Sequence, residues 1–205
     1  IINFSEILSK QNSFFDESDS IKTKKKFEKR TYIATRTQTP PVIDGVADDS
    51  CWSKENWHDL NFQKEPVDGG DPTEKTFFKI VYDDENLYAI VRSYDKEPEK
   101  ISKILSNRDS FTGDVIGLSI DSYYDRRSAF EFDVTAAGAK IDVLIANGNE
   151  TNYNWNPVWD TKTGFEDSSW IAEVRIPFSQ LRFSENDELT MGFMLWRWIY
   201  RKAEE

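Results

Sequence analysis

Hydrophobic residues alternate with polar residues in short runs over most of the chain. Ile116, Leu118 and Ile120 alternate with glycine, serine and aspartate, and residues 129–135 repeat the pattern with phenylalanine and valine. A period of two places the apolar side chains on one face of a strand, so both runs predict half-buried β-strands. Turn residues separate several such runs, which is typical of a β-sandwich. The predicted strands are residues 31–36, 76–83, 87–94, 115–121, 129–135, 139–146, 158–163, 169–176 and 190–199.

Helix is scarce in this pattern. Residues 48–56 can form one or two turns behind an aspartate cap, and residues 177–181 can form another with Pro177 at the first helical position. Residues 1–30 are polar and end in a basic run. We therefore predict an all-β protein, with a tail or linker over residues 1–30 and one antiparallel β-sandwich over residues 31–205.

Charge and cysteine content narrow the classes of function. Residues 1–30 carry seven Lys or Arg against five Asp or Glu, a net charge of +2. Because the whole chain has a net charge of −11, residues 31–205 carry −13. An acidic domain repels phosphate backbones, which argues against nucleic-acid binding. Cys51 is the only cysteine, which excludes an internal disulfide, and its place beside Trp52 predicts a small buried thiol.

Acidic side chains gather on the polar face of the hairpin predicted over residues 115–135. Asp121, Glu131 and Asp133 lie on neighbouring strands, where they can form either a solvated sheet face or a cation site. Together with Asp114 they are also the one group that could supply the two carboxylates of a glycoside hydrolase. No nucleophile motif, phosphate loop or HExxH motif accompanies them, so we predict that the domain is not an enzyme.

Tryptophans mark a second candidate region. Residues 152–159 combine asparagine amides with Trp155 and Trp159 on a predicted loop, which suits a binding site. Trp159 begins a strand and is predicted in the core, whereas Trp155 fits either the core or the surface. Trp196 and Trp198 share one strand face, which favours a core or covered face over a flat binding platform.

Ordered motifs from about Thr39 onwards resemble the family 9 carbohydrate-binding modules. Residues 40–52 (PPVIDGVADDSCW) look like the opening segment of these modules, residues 79–88 like their first core hairpin, and residues 114–121 like the strand that begins at the binding cleft. Residues 170–181 look like their late strand and turn. The resemblance implies a jelly-roll-like β-sandwich that binds glycans and does no chemistry.

The same resemblance implies the positions of site residues. Such modules hold a sugar between two aromatic side chains with help from polar groups. The first aromatic position falls on Phe111, a cleft arginine falls near Asp133, and the second aromatic lies after the last strand, at or beyond Glu205. We therefore expect a glycan site that combines two aromatic and four polar side chains: Phe111, Asp114, Arg108, Asn107, Trp155 and Asn154.

Residues 123–127 (YYDRR), with residues 181–183 and 197–201, are closer to a bacterial envelope family in which the module precedes a predicted outer-membrane β-barrel. This resemblance implies export to the periplasm or cell surface of a Gram-negative bacterium and a barrel downstream. We expect a monomer that binds a polysaccharide or oligosaccharide, with structural calcium as the single candidate cofactor. A scaffold role beside the barrel, without sugar binding, stays open.

Overall fold

Two β-sheets packed face to face build the fold, which the computed structural model describes for residues 29–148, 150–183 and 190–205. Within these ranges no helix is long and apolar enough to cross a membrane. The strands, in chain order, are β1 (Thr35–Arg36), β2 (His58–Leu60), β3 (Thr76–Tyr82), β4 (Asn86–Tyr94), β5 (Val115–Asp121), β6 (Ala129–Thr135), β7 (Lys140–Ala146), β8 (Glu150–Asn152), β9 (Asp160–Phe165), β10 (Ser169–Pro177) and β11 (Gly192–Trp198). One short helix, α1 (Ser50–Ser53), precedes β2.

The strands are divided between a six-stranded and a five-stranded sheet. The first has the order β1-β3-β4-β10-β9, with β2 also paired to β3, and the second has the order β11-β5-β6-β7-β8. All pairs are antiparallel except β1 with β3, which is parallel. The predicted β-sandwich is therefore confirmed, with this one parallel pair as the departure from a purely antiparallel fold.

The core lies between the sheets because the alternation on β5 and β6 sends their apolar side chains inward. The five-stranded sheet contributes Ile116, Leu118, Ile120, Phe130, Phe132 and Val134, and β10 contributes Trp170, Ala172, Val174 and Ile176 from the other side. Residues between the inward positions must point the opposite way. Ser119, Glu131 and Asp133 therefore belong to the outward face of the five-stranded sheet.

The outward face of the six-stranded sheet is covered by the segment that contains α1. Trp52 and Cys51 pack there against Val81, Ile90 and Ile171. The predicted burial of the Cys51 thiol is confirmed at 2% exposure, and burial, more than any other cause, raises its pKa to about 11. A thiol with so high a pKa is not a nucleophile near neutral pH.

Glu173, on β10, fastens this covering segment. It is fully buried and accepts hydrogen bonds from the Trp52 indole at 3.0 Å and from the backbone amides of Asp44 at 3.0 Å and Gly45 at 2.8 Å. Burial raises the pKa of Glu173, and the three donors oppose that rise. Gly45 has φ +86° and lies directly against Gly164 of β9. A Cβ on Gly45 would overlap the backbone of β9, and a Cβ on Gly164 would overlap the backbone of Gly45.

Most predicted strands match the observed ones within a few residues, and the differences have simple causes. Of the strand predicted over residues 31–36, only the last two residues pair with another strand, as β1. Strands β2 and β8 are absent from the prediction because three residues are too few to show a period. The helical predictions shrink to α1 and to a 3-10 turn at Phe178–Gln180. Residues 1–28 of the predicted tail lie outside the described residues.

Candidate functional site

Two aromatic rings stack on the outward face of the five-stranded sheet. Phe111, from the segment before β5, lies parallel to Trp196 of β11, with ring centroids 5.6 Å apart and planes 11° apart. The Trp196 ring occupies the space above Gly117 of β5, where a Cβ would overlap it. Phe111 keeps 53% of its surface exposed. The pair therefore presents an aromatic surface to solvent.

Polar side chains lie on the sheet beside the rings. The indole nitrogen of Trp196 donates a hydrogen bond to Glu131 of β6 at 3.0 Å. In the register of β5 and β6, Ser119 is paired with Glu131 and Gly117 with Asp133. Side chains paired in this way are close neighbours on one face. We call this group the outer cleft: Phe111, Gly117, Ser119, Glu131, Asp133 and Trp196.

Asp133 is the unusual member of the outer cleft. Its side chain has no exposed surface, and neither carboxylate oxygen accepts a hydrogen bond from the part of the chain that the structure describes. Burial, followed by the neighbouring carboxylates of Glu131 and Asp142, raises the pKa of Asp133 well above its ordinary value. The buried hydroxyl of Ser119 has no partner either among these residues. The interpretation of this face as simply solvated is therefore wrong for Asp133.

The segment that carries Phe111 is tied to the neighbouring strand β7. The Asp109 amide donates to the Lys140 carbonyl at 2.9 Å, and the Asp142 amide donates to the Asp109 carboxylate at 3.1 Å. Arg108 Nε donates to the Asp142 carboxylate at 2.6 Å, although Asp142 is fully buried. Burial raises the pKa of Asp142, and the Trp159 indole and Arg108 oppose that rise. These contacts fix where the segment crosses the sheet edge.

Asp114 lies in the interior. It has no exposed surface, and its Oδ1 accepts hydrogen bonds from the amides of Tyr200 at 3.2 Å and Ser102 at 3.4 Å. Burial raises its pKa, and these bonds and the charge of Arg197 oppose that rise. In this arrangement Asp114 holds together the ends of two segments, and a direct contact with a sugar stays a prediction.

The other predicted site residues fall into two groups. Asn107 and Arg108 belong to the Phe111 segment, where Asn107 is exposed and Arg108 is paired with Asp142. Trp155 instead packs against the inward rings of Phe130 at 5.2 Å and Phe132 at 5.4 Å, on the side of the sheet opposite to Phe111. Its neighbour Asn154 is exposed beyond β8.

The structure therefore does not bring the two predicted aromatic residues together. Arg108 is the link between the groups, because it donates to the Pro157 carbonyl at 3.2 Å. Trp159 is 2% exposed and confirms the prediction of a core residue. Whether Asn107, Arg108, Asn154 and Trp155 contact a ligand stays a prediction.

Trp196 lies half-buried on the outward face of β11, where Phe111 covers its ring, so the covered-face alternative for this residue is confirmed and the core alternative is wrong. The inward position beside it is held by Arg197, which is 6% exposed. Arg197 donates to the Tyr94 carbonyl at 2.9 Å and the Thr76 hydroxyl at 3.1 Å, and lies 4.0 Å from Asp95. An arginine at this inward position leaves Trp196 on the outward face of β11. The glycine at position 117, which leaves room for a ring, is the signal that could have indicated it.

A depression of about 520 Å³ lies away from these residues, at the edge formed by β4, β9 and β10. Asp160 and Arg175 in its lining form an ion pair with each other, and none of the lining residues carries a buried polar atom without a partner. Across residues 29–148, 150–183 and 190–205, no three His, Cys, Asp or Glu side chains come together in a way that could hold a metal ion. The outer cleft is therefore the best candidate site.

Comparison with known proteins identifies the family. The model of the carbohydrate family 9 binding domain-like family matches residues 43–200, which is most of the chain. The chain belongs to this family. A search of curated proteins found none with significant similarity to this family 9 domain.

Solved structures agree with this fold. A carbohydrate binding module of family 9 from Caldicellulosiruptor kristjanssonii in complex with glucose is 22% identical, with a TM-score of 0.56 over 80% of this chain and 75% of that one. The complex with cellotriose is 20% identical, with a TM-score of 0.59 over 84% and 80%. A candidate carbohydrate-binding protein from Bacteroides uniformis is 12% identical, with a TM-score of 0.64 over 83% and 85%. At these identities the likeness supports the fold.

Proposed function

We propose that this family 9 domain binds a saccharide at the outer cleft and catalyses no reaction on it. The observation that carries the proposal is the parallel stack of Phe111 and Trp196 beside buried polar side chains. A pyranose offers C–H groups to an aromatic ring and hydroxyl groups to polar side chains, so it matches both parts of the cleft. The similar structures that hold glucose and cellotriose support a saccharide as the class of ligand.

The distance between the Phe111 and Trp196 rings determines how a sugar could bind between them. A sugar between two rings needs roughly 3.5–4.0 Å on each side, or about 7–8 Å between the ring planes. The ring centroids are 5.6 Å apart, so a sandwiched sugar requires Phe111 to move outward. Half of the Phe111 surface is already in water, so little contact is lost in that movement. Trp196 stays in place through its hydrogen bond to Glu131.

The test is calorimetric titration of the 205-residue chain with glucose, cellotriose and a panel of plant and bacterial oligosaccharides. The Trp196→Ala variant should lose about 1–3 kcal/mol of binding free energy, and Phe111→Ala should lose a similar amount. Tyr153→Ala is the matched control, because Tyr153 is an aromatic residue with 53% exposure beyond β8. Equal affinities in all four proteins would move the site away from the outer cleft.

One observation favours a second candidate function, that of a scaffold without a sugar site. Phe111 already fills the surface of Trp196 that a sugar would use. If the domain is a scaffold, the wild-type protein binds no saccharide in the panel, and Phe111→Ala, which uncovers Trp196, gains no binding. Binding by either protein would contradict the scaffold role.

The wider setting is also part of the proposal. The resemblance to the envelope family supports export to the periplasm or cell surface, with a downstream outer-membrane partner, and the acidic charge supports a ligand other than nucleic acid. A monomeric state and structural calcium belong to the same proposal. Size-exclusion chromatography and repetition of the titration with calcium and with a chelator test these two points.

A further inference from the structure

Asp133 is a hydrogen-bond acceptor that the described residues leave without a donor. It has no exposed surface, and within the described ranges neither of its carboxylate oxygens accepts a hydrogen bond from an N–H or hydroxyl donor. The side chain that interacts with it through hydrogen bonding is the carboxyl of Glu131, which can be a partner only when one of the two groups carries a proton. The hydroxyl of Ser119, 6% exposed on the adjacent strand, is unpartnered as well. Burial of a polar group without a partner destabilises a fold, and such groups in native proteins call for an explanation. On the outward face of a sheet, a ligand is able to bring the donor.

Glu173, in the same sandwich, shows what a structural carboxylate looks like. It is equally buried, but it accepts hydrogen bonds from Trp52, Asp44 and Gly45 of its own chain. Asp133 has no such set within the residues described. Asp114 is intermediate, with two amide donors on one oxygen and none from the described residues on the other, so the lack of a donor on both oxygens is what distinguishes Asp133.

The carboxylates around Asp133 favour a donor that carries positive charge. The carboxylates of Glu131 and Asp142 lie near Asp133 and repel its negative charge. Arg108 compensates Asp142, whereas the N–H donor that Glu131 receives from the described residues is the neutral indole of Trp196. Among the residues that the structure describes, no lysine or arginine forms an ion pair with Glu131 or Asp133. Aromatic faces such as those of Phe111 and Trp196 also attract cations.

We propose that the outer cleft selects a saccharide with an unsubstituted primary ammonium group, such as the glucosamine units of a deacetylated amino-sugar polymer. The ammonium group donates to Asp133, Glu131 and Ser119 while the sugar ring stacks with the aromatic pair. This inference rests on the proposed function of the same site. An ammonium group has three N–H donors, which matches three acceptor side chains.

An ammonium group fits the outer cleft better than a metal ion does. Calcium takes six to eight oxygen ligands, and two carboxylates with one hydroxyl supply too few. No group of three metal-binding side chains occurs in the described ranges. An aromatic surface beside carboxylates is suited to a cation with apolar C–H groups around it, which is what an amino sugar is.

The test compares three trisaccharides that share a β-1,4 backbone and differ at one carbon of each ring. The glucosamine trimer carries ammonium groups, the N-acetylglucosamine trimer carries amides and cellotriose carries hydroxyl groups. Calorimetry with the 205-residue chain at pH 6, where the amine is protonated, should give the glucosamine trimer roughly tenfold or greater preference over both others.

Two variants test the role of the carboxylates. Asp133→Asn should reduce the preference for the glucosamine trimer to near unity, and Glu131→Gln, which keeps an acceptor for Trp196, should reduce it in part. Asp167→Asn removes one exposed carboxylate from the turn between β9 and β10 and should keep the full preference. Thermal unfolding of each variant establishes that it is folded.

Each outcome has a distinct meaning. Binding of all three trisaccharides with equal affinity overturns the ammonium selectivity and leaves the proposed function standing. Failure of all three to bind overturns both. A preference that survives in Asp133→Asn assigns the selectivity to overall charge rather than to this residue. Calcium binding that is lost in Asp133→Asn and competes with the glucosamine trimer would assign the cleft to a metal ion.

Discussion

The indole nitrogen of Trp196 and the carboxylate of Glu131 are joined by a 3.0 Å hydrogen bond that spans the strand between them. Trp196 is on β11 and Glu131 is on β6, and β5 separates the two strands in the sheet. The ring can cross β5 because Gly117 has no side chain at the crossing point. The aromatic surface of the outer cleft is thus held by three strands together.

Gly117→Ala is expected to displace the Trp196 ring. The new Cβ would overlap the indole, so the ring must leave its place and lose its bond to Glu131. Overpacking of this kind costs about 1–3 kcal/mol of unfolding free energy, and saccharide affinity should fall with it. Urea denaturation and calorimetry measure the two effects.

Ser119→Ala on the same strand is the control for stability alone, since it removes a hydroxyl that has no partner among the described residues and should be close to neutral for stability. An unchanged saccharide affinity in Gly117→Ala would show that the position of Trp196 is not needed for binding.

Asp133→Asn is expected to stabilise the unliganded domain increasingly as the pH rises above about 4. Because the pKa of Asp133 is raised in the folded state, the folded protein binds more protons than the unfolded chain between the two pKa values. Wild-type stability must therefore fall as the pH rises through that window, by about 1.4 kcal/mol for each unit of difference. Asparagine does not titrate and avoids this loss.

Urea unfolding of both proteins from pH 4 to pH 8 measures the difference directly. Asp142 also titrates in both proteins, and in Asp133→Asn its repulsion with Asp133 is removed, so the difference includes the relief of that repulsion. Parallel stability curves for the two proteins would contradict the prediction.

Arg108→Gln is expected to destabilise the fold, because Asp142 is buried and, among the described residues, would keep the Trp159 indole as its one side-chain donor. Arg108 is 38% exposed, so solvent screens the pair and the expected loss is about 1–3 kcal/mol. The double variant Arg108→Gln with Asp142→Asn should recover part of the loss. A double-mutant cycle by chemical denaturation measures the coupling, and additive effects would indicate that the two residues act independently.

Trp52→Phe is expected to reduce stability without changing saccharide affinity. Phenylalanine keeps an aromatic ring but removes the N–H donor, so one oxygen of Glu173 loses its partner at a cost of about 1–3 kcal/mol. This hydrogen bond holds the segment that covers the six-stranded sheet, whereas the outer cleft is on the five-stranded sheet. Thermal unfolding and calorimetry on one preparation separate the effects, and a change in affinity would link the two faces of the sandwich.

The sequence predicts the architecture well because a period of two is visible wherever a strand has one buried face. Leu118 and Phe132 show this, since both are inward residues with no exposed surface. The site is less predictable because its geometry depends on which face of the edge strand β11 is covered by the Phe111 segment. Arg197 occupies an inward position that hydrophobicity assigns to a tryptophan, and its partners Tyr94 and Thr76 are distant in the chain.

The Phe111 segment and residue 155 illustrate the remaining limit. Phe111 was placed at a binding surface by resemblance, and the structure puts it on an aromatic partner that sequence reasoning had not paired with it. Trp155 has no period to follow on its loop, and its contact with Phe130 and Phe132 depends on how β8 returns to the sheet. Contacts between loops and distant strands leave no pattern in neighbouring residues.

The backbone contact between Gly45 and Gly164 also sets a limit on how this sequence can change. Each glycine fills the space that a side chain on the other would need, so a substitution at one position cannot be repaired by a substitution at the other. Both positions are therefore expected to accept only glycine. In the outer cleft, by contrast, a smaller residue at position 196 would make room for a side chain at position 117, so ligand preference can diverge while the covering segment stays where it is.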